Sequence, residues 1–179
     1  MKFDKLGGYI SQVNSRNSDL KVMDLKGINM NKEFILSVAN TVDTDMTKYK
    51  VVKPGQFAFN PMHVGRDHLV PISLLGGKQP IIVSPAYTVF EITKPEELLA
   101  QYLMFWFRES DFDRHAWFTT DNSVRGGLSW ESFCNLKVPI PEKQTQVQIC
   151  LRALIEKQEE LTSRKLELVN AINSNGKTP

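Results

Sequence analysis

Residues 147–172 constrain this 179-residue chain more than any other stretch. Their apolar residues recur at the seven-residue spacing of a long amphipathic helix. Val147, Leu154, Leu161 and Leu168 share one row, and Leu151, Gln158, Lys165 and Ile172 run beside it. A helix of about 30 residues is about 45 Å long, more than a domain of this size needs to cover its own core. Part of the stripe is therefore expected to face another helix, in a second copy or in a partner. Gln158 and Lys165 interrupt the second row with polar groups, which lowers the stability of such a pairing and fixes its register or orientation. The competing reading is a long helix folded back along its own domain, and the exposure of the two rows separates the readings.

The rest of the chain has to supply a domain for that helix to leave. Its length fits one domain of ordinary size plus an appendage, enough to bury a core without disulfide or metal staples. Hydrophobic residues make up 41% and charged residues 23%, which argues against disorder. Met1-Lys2-Phe3-Asp4-Lys5 is not followed by the apolar core of a signal peptide, and no run approaches a membrane span. The expectation is a cytoplasmic protein with no membrane partner. Cys134 and Cys150 stand apart, without a paired cysteine or an accompanying histidine, and read as reduced, buried thiols.

The strand-like runs come first. Residues 20–25, 33–38, 48–53, 56–59, 72–75, 81–83 and 87–92 read as strands separated by turns such as Pro54-Gly55 and Gly76-Gly77. The β-branched and aromatic run 87–92 is expected at the centre of the sheet. Lys94-Pro95-Glu96-Glu97 has the proline and carboxylates of a helix start, and the apolar residues of 98–107 almost encircle that helix, which predicts burial. Ser110 with Asp113 resembles a cap for a short helix over 112–117, leaving Arg114 and His115 outward. Ser129 caps a turn around Trp130 and Phe133, residues 136–141 are extended ahead of their prolines, and the long helix starts at Pro141-Glu142. The fold class is α+β, a mixed domain with a multi-stranded sheet over residues 1–140, a long helix over 141–174 and a disordered tail at 175–179.

Net charge is only +2. Residues 142–179 hold six Lys/Arg and five Asp/Glu, which leaves sixteen of the 22 bases and fifteen of the 20 acids for the nearly neutral body. A nucleic-acid role then rests on local clusters or on a partner that carries the positive surface. Asn14-Ser15-Arg16-Asn17-Ser18 is a polar loop, either idle in solvent or a hydrogen-bonding surface. The loop 60–68, with Asn60, His63, Arg66 and His68, is the densest polar loop and carries the residue types that read base edges or touch phosphate. In 119–127, Ser123 and Arg125 precede Gly126-Gly127, where backbone N–H groups could approach a phosphate; a plain surface loop is the alternative.

Catalytic readings find little support. Asn60-Pro61-Met62-His63 lacks the second proline and the aromatic residue of an amino-methyltransferase motif. The three histidines are not at zinc-ligand spacing, no GxSxG elbow surrounds Ser84 or Ser123, and Gly76-Gly77-Lys78 lacks the rest of a phosphate-binding loop.

Taken in order, several stretches resemble the specificity (S) subunit of type I restriction-modification systems. Leu6-Gly7-Gly8-Tyr9-Ile10 followed by Asn14-Ser15-Arg16-Asn17 is similar to the start of its target recognition domain. Gly55-Gln56-Phe57-Ala58-Phe59-Asn60-Pro61-Met62-His63 and Ser84-Pro85-Ala86-Tyr87-Thr88-Val89-Phe90 are similar to its central strands. The run 102–107, Ser123-Val124-Arg125 and Leu128-Ser129-Trp130-Glu131-Ser132-Phe133 follow in the family's order, and Val138-Pro139-Ile140-Pro141, Gln144 and the heptads resemble its junction and spacer helix. The likeness spans nearly the whole chain.

An S subunit has two target recognition domains and two spacer helices, and this chain has room for one of each. The resemblance therefore implies a half-subunit that forms a homodimer through its long helix and reads an inverted-repeat, gapped target in double-stranded DNA. It implies as partners a methyltransferase (M) subunit, which brings S-adenosylmethionine and adenine methylation, and a restriction (R) subunit, which brings ATP-driven translocation and cleavage. No catalytic residue, metal or cofactor is expected in the chain itself. The DNA-facing residues it implies are Arg16, Asn17, Asn60, His63, Arg66, His68, Arg114, His115, Ser123 and Arg125. The alternatives are a coiled-coil interaction protein that binds no DNA, and a restriction inhibitor that engages M through the same helix.

Overall fold

In a computed structural model of the chain, residues 2–37, 44–62, 64, 68–120 and 127–175 are described, with side chains as far as Ile172. The element that organises the domain is the strand β9 (Thr88–Ile92), as its composition predicts. It lies inside an antiparallel sheet of order β2-β9-β6-β7, with β2 (Ile10–Val13), β6 (Phe57–Phe59) and β7 (Ile72–Leu74). Phe57 lies opposite Phe90 and Ala58 opposite Val89, so alternate residues project to opposite faces. Phe57, Phe59 and Phe90 enter the main core, and Ala58 and Val89 enter a second one. Both faces are covered at Thr88, Val89 and Phe90, which is why this part of β9 does not alternate between apolar and charged residues.

The second face is covered by a separate antiparallel pair, β5 (Lys50–Val52) with β8 (Ile81–Val83). The hairpin β3 (Lys26–Ile28) with β4 (Phe34–Leu36) and the pair β1 (Phe3–Lys5) with β10 (Lys137–Pro139) complete the strands described. The described strands thus form one four-stranded sheet and three pairs. Residues 20–24 form no strand: Leu20 takes a left-handed φ of 53° and its N–H closes a turn onto Asn17, which breaks the extended run.

Among the described residues, three short α-helices pack on the domain. The first, α1 (Ala100–Arg108), buries Tyr102, Leu103, Met104 and Phe107. It starts later than Lys94-Pro95 suggests, because residues 94–98 form a turn whose free groups are met from elsewhere. The fully buried Gln146 donates to the Glu97 carbonyl at 2.7 Å and accepts from the Leu99 N–H at 2.9 Å. The Tyr102 hydroxyl donates to the Pro139 carbonyl at 3.1 Å, and burial pushes its pKa up to about 12. The second, α2 (Ser110–Phe118), begins at Ser110, which is its first helical residue and not its cap; Asp113 turns inward. The third, α3 (Trp130–Asn135), is capped as expected, the Ser129 hydroxyl accepting from the Ser132 N–H at 3.0 Å.

The 3-10 turn Leu6–Gly8 packs directly on α3. A Cβ on Gly7 would lie 2.8 Å from the Cβ of Cys134 and 3.2 Å from its carbonyl oxygen. Gly7→Ala is therefore expected to force the turn and α3 apart and to cost about 1–3 kcal/mol, read as a lower urea midpoint at unchanged slope. An unchanged midpoint would show that the contact yields freely. Cys134 and Cys150 are free thiols, and burial raises the pKa of both.

The last element, α4 (Lys143–Asn175), is anchored only at its start. Gln146 is buried, and Ile149, Cys150 and Ala153 are partly buried against the domain. Every described residue from Leu154 to Ile172 is exposed.

Candidate nucleic-acid interface and the exposed helix

The loop that follows β6 is closed by its own backbone. The Asn60 N–H donates to the Pro71 carbonyl at 2.9 Å, and the Asn60 side chain accepts from the Met62 N–H at 3.0 Å in an Asx turn. The Leu128 N–H donates to the Pro61 carbonyl at 2.9 Å, which brings the residues that follow 121–126 against the same loop. At its far end His68 has a left-handed φ of 53° and stacks on Trp117 of α2, with ring centroids 4.4 Å apart and planes at 19°.

Below this surface lies a buried ion pair. Lys32, in the turn between β3 and β4, approaches the two Asp113 oxygens at 2.8 and 2.7 Å and also donates to the Phe107 carbonyl. The Val70 N–H donates to Asp113 at 3.0 Å. The two side chains are 4% and 12% exposed. Burial depresses the Lys32 pKa, and the facing carboxylate opposes that shift.

Asn60, His68, Arg114 and His115 lie on this loop and this helix, Arg114 and His115 on the exposed side of α2. Arg114 pairs with Asp111 at 2.8 Å on the surface. Arg16 lies elsewhere, on the β5 side, where its guanidinium donates to the Lys48 carbonyl at 2.6 Å. With Ser15, Lys21 and Lys53 it lines an open cleft of about 520 Å³.

Asn17 does not face outward. It is fully buried, and its amide donates to the Val22 carbonyl and accepts from the Val22 N–H, so both ends are spent on its own loop. His63, Arg66, Ser123 and Arg125 lie outside the described residues. Lys32, Asp113 and Trp117 carry the geometry but were missed in the sequence. Lys32 and Asp113 are 81 positions apart, and no local pattern joins them.

The exposed helix decides between the two readings of its stripe. Leu154, Leu161, Leu168 and Ile172 are 56–69% exposed, so α4 does not fold back on the domain. Val147 and Leu151 are exposed too, as are Gln158 and Lys165. Ile155, Leu166 and Val169 are also exposed and widen the apolar face beyond the two rows. Among the described residues no helix is long and apolar enough to cross a membrane, and no cluster of His, Cys, Asp or Glu could hold a metal ion.

The arrangement, an α+β domain with one long helix leaving it, is similar to that of solved structures. Against the HsdS subunit from Thermoanaerobacter tengcongensis the TM-score is 0.62 at 17% identity, over 93% of this chain and 45% of that one. The chain has the fold of part of an HsdS subunit. A chain from a structure describing the assembly and conformational transition of a type I R-M system gives a TM-score of 0.60 at 11% identity, over 97% of this chain and 43% of that one. The chain thus spans under half the length of these two chains. No protein-family model matches the sequence, and no curated protein does.

Proposed function

We propose that this chain is a non-catalytic, half-length specificity subunit that reads one half of a gapped site in double-stranded DNA and directs methyltransferase and restriction subunits to it. The observation that carries the reading is the likeness to an HsdS subunit, together with a helix that leaves its domain and keeps its apolar face uncovered. A chain with one recognition domain needs a second to define a bipartite target, and pairing two copies of α4 supplies it. The face includes Val147, Leu151, Leu154, Leu161, Leu168 and Ile172, with Gln158 and Lys165 setting register. Two-fold pairing then implies an inverted repeat.

On the domain, the proposed reading surface is the loop 60–71 with His63, Arg66 and His68, the outer side of α2 with Arg114 and His115, and the loop that holds Ser123 and Arg125. Arg16 is proposed as a phosphate contact from the β5 side. With a nearly neutral body, much of the phosphate neutralisation falls to the partner subunits.

The test is a genome-wide map of N6-methyladenine in cells making this protein with its cognate M subunit, against cells lacking it. A new gapped, palindromic motif is the expected result. An asymmetric motif would mean that the partner half is a different chain. Absence of any new motif, with M shown active beside another specificity subunit, would refute the DNA-reading role.

A further inference from the structure

Asp113 gathers donors from separate parts of the chain. Its carboxylate faces Lys32 from the β3–β4 turn and Val70 from the end of the loop 60–71, while Lys32 also bonds Phe107 at the end of α1. Lys32 and His68 both hold left-handed backbone, at φ 59° and 53°. Residues other than glycine stay in that region when their surroundings over-determine them. Here α2 supplies both restraints, Asp113 for Lys32 and Trp117 for His68. The two are four residues apart and so lie on one helix face, while Arg114 and His115 are exposed.

We propose that Asp113 is a positioning residue of the nucleic-acid interface. Its carboxylate fixes residues 68–70 against α2, so that His68 and the outer side of α2 present their polar groups in one preset geometry. The inference rests on the DNA-reading role proposed above. The charge is what the position requires. A carboxylate accepts from an ammonium group and from a backbone N–H together, whereas an amide has one acceptor atom and would turn its NH2 toward the lysine or lose Val70. Loss of the tether frees the chain end of the loop beside His68, and the stacked ring alone has to hold it.

Two variants keep the test clear of simple unfolding. Asp113→Asn breaks the pairing at constant size. The double variant Lys32→Met with Asp113→Leu replaces a buried ion pair by apolar side chains, a change that commonly preserves stability, yet leaves the Val70 N–H without its acceptor. Hydrogen exchange on the whole protein is expected to show the Val70 amide at least tenfold less protected in both variants, relative to the β9 amides in the same sample. Methylation maps made with the M subunit are expected to show a motif relaxed at positions within each half-site and an unchanged gap, because the gap is set by α4.

Protection at Val70 that falls only in step with β9 would reduce Asp113 to a stability role and overturn the proposal. So would selective loss of protection with an unaltered motif. If the unaltered protein yields no motif, the DNA-reading role fails and positioning for it fails too, while the exchange data still report whether the tether exists.

Discussion

A Leu161→Glu protein is expected to sediment as a monomer at concentrations where the unaltered protein is a dimer. Leu161 lies within the exposed stretch of α4 and is 56% exposed in the single chain. Burying a leucine contributes about 1.5–3 kcal/mol. In a two-fold pair each substitution acts twice, which gives about 3–6 kcal/mol, or about 100-fold or more in the dimer Kd. The introduced carboxylate adds a desolvation cost of its own. The helix should report the same event, because most of the stability of an amphipathic helix comes from packing of its apolar face, and residues 154–172 have none within the single chain. Far-UV circular dichroism is expected to lose helix signal on dilution of the unaltered protein, and at every concentration in the variant. Glu167→Gln, on the opposite side of the helix, should leave both measurements unchanged. A variant that remains dimeric, or a parent that is monomeric throughout, would remove α4 as the pairing surface.

Phe90→Ala is expected to lower the stability of the domain by about 3–5 kcal/mol, a large share of the 5–15 kcal/mol typical of folded domains. Phe90 is fully buried on the central strand and stacks on Phe57 at 4.8 Å, with Phe59, Phe107, Trp130 and Phe133 around it. Its neighbours come from β6, α1 and α3, so the cavity left by the ring lies where three elements meet and little backbone can close it. Urea unfolding followed by tryptophan fluorescence measures the loss, since Trp130 borders the site. A cost under about 1 kcal/mol would mean that the core collapses around the vacancy, contrary to its dense aromatic packing.

Much of this protein was legible from local pattern. The run at β9, the Ser129 cap, the extended stretch ahead of α4 and the length and stripe of α4 are each set by nearby residues, through period, capping oxygen or proline geometry. The misreadings share one cause. Lys94-Pro95 looks like a helix start, yet Gln146, far along the chain, meets the backbone groups at residues 97–99 and the helix begins at Ala100. Asp113 looks like part of a cap, yet a lysine 81 positions away turns it inward. Asn17 looks like a surface amide, yet the chain wraps it with Val22.

The sequence by itself determined the fold class, the buried aromatic residues and a helix too long for its domain, because each of these follows from spacing and composition within one segment. Only the tertiary structure decided that the helix leaves the domain with its apolar rows uncovered, that Asn17 is scaffold, and that α2 binds two distant loops through Asp113 and Trp117. Those facts depend on contacts between residues far apart in the chain, where a side chain's partner is chosen by packing and by the need to satisfy buried charge.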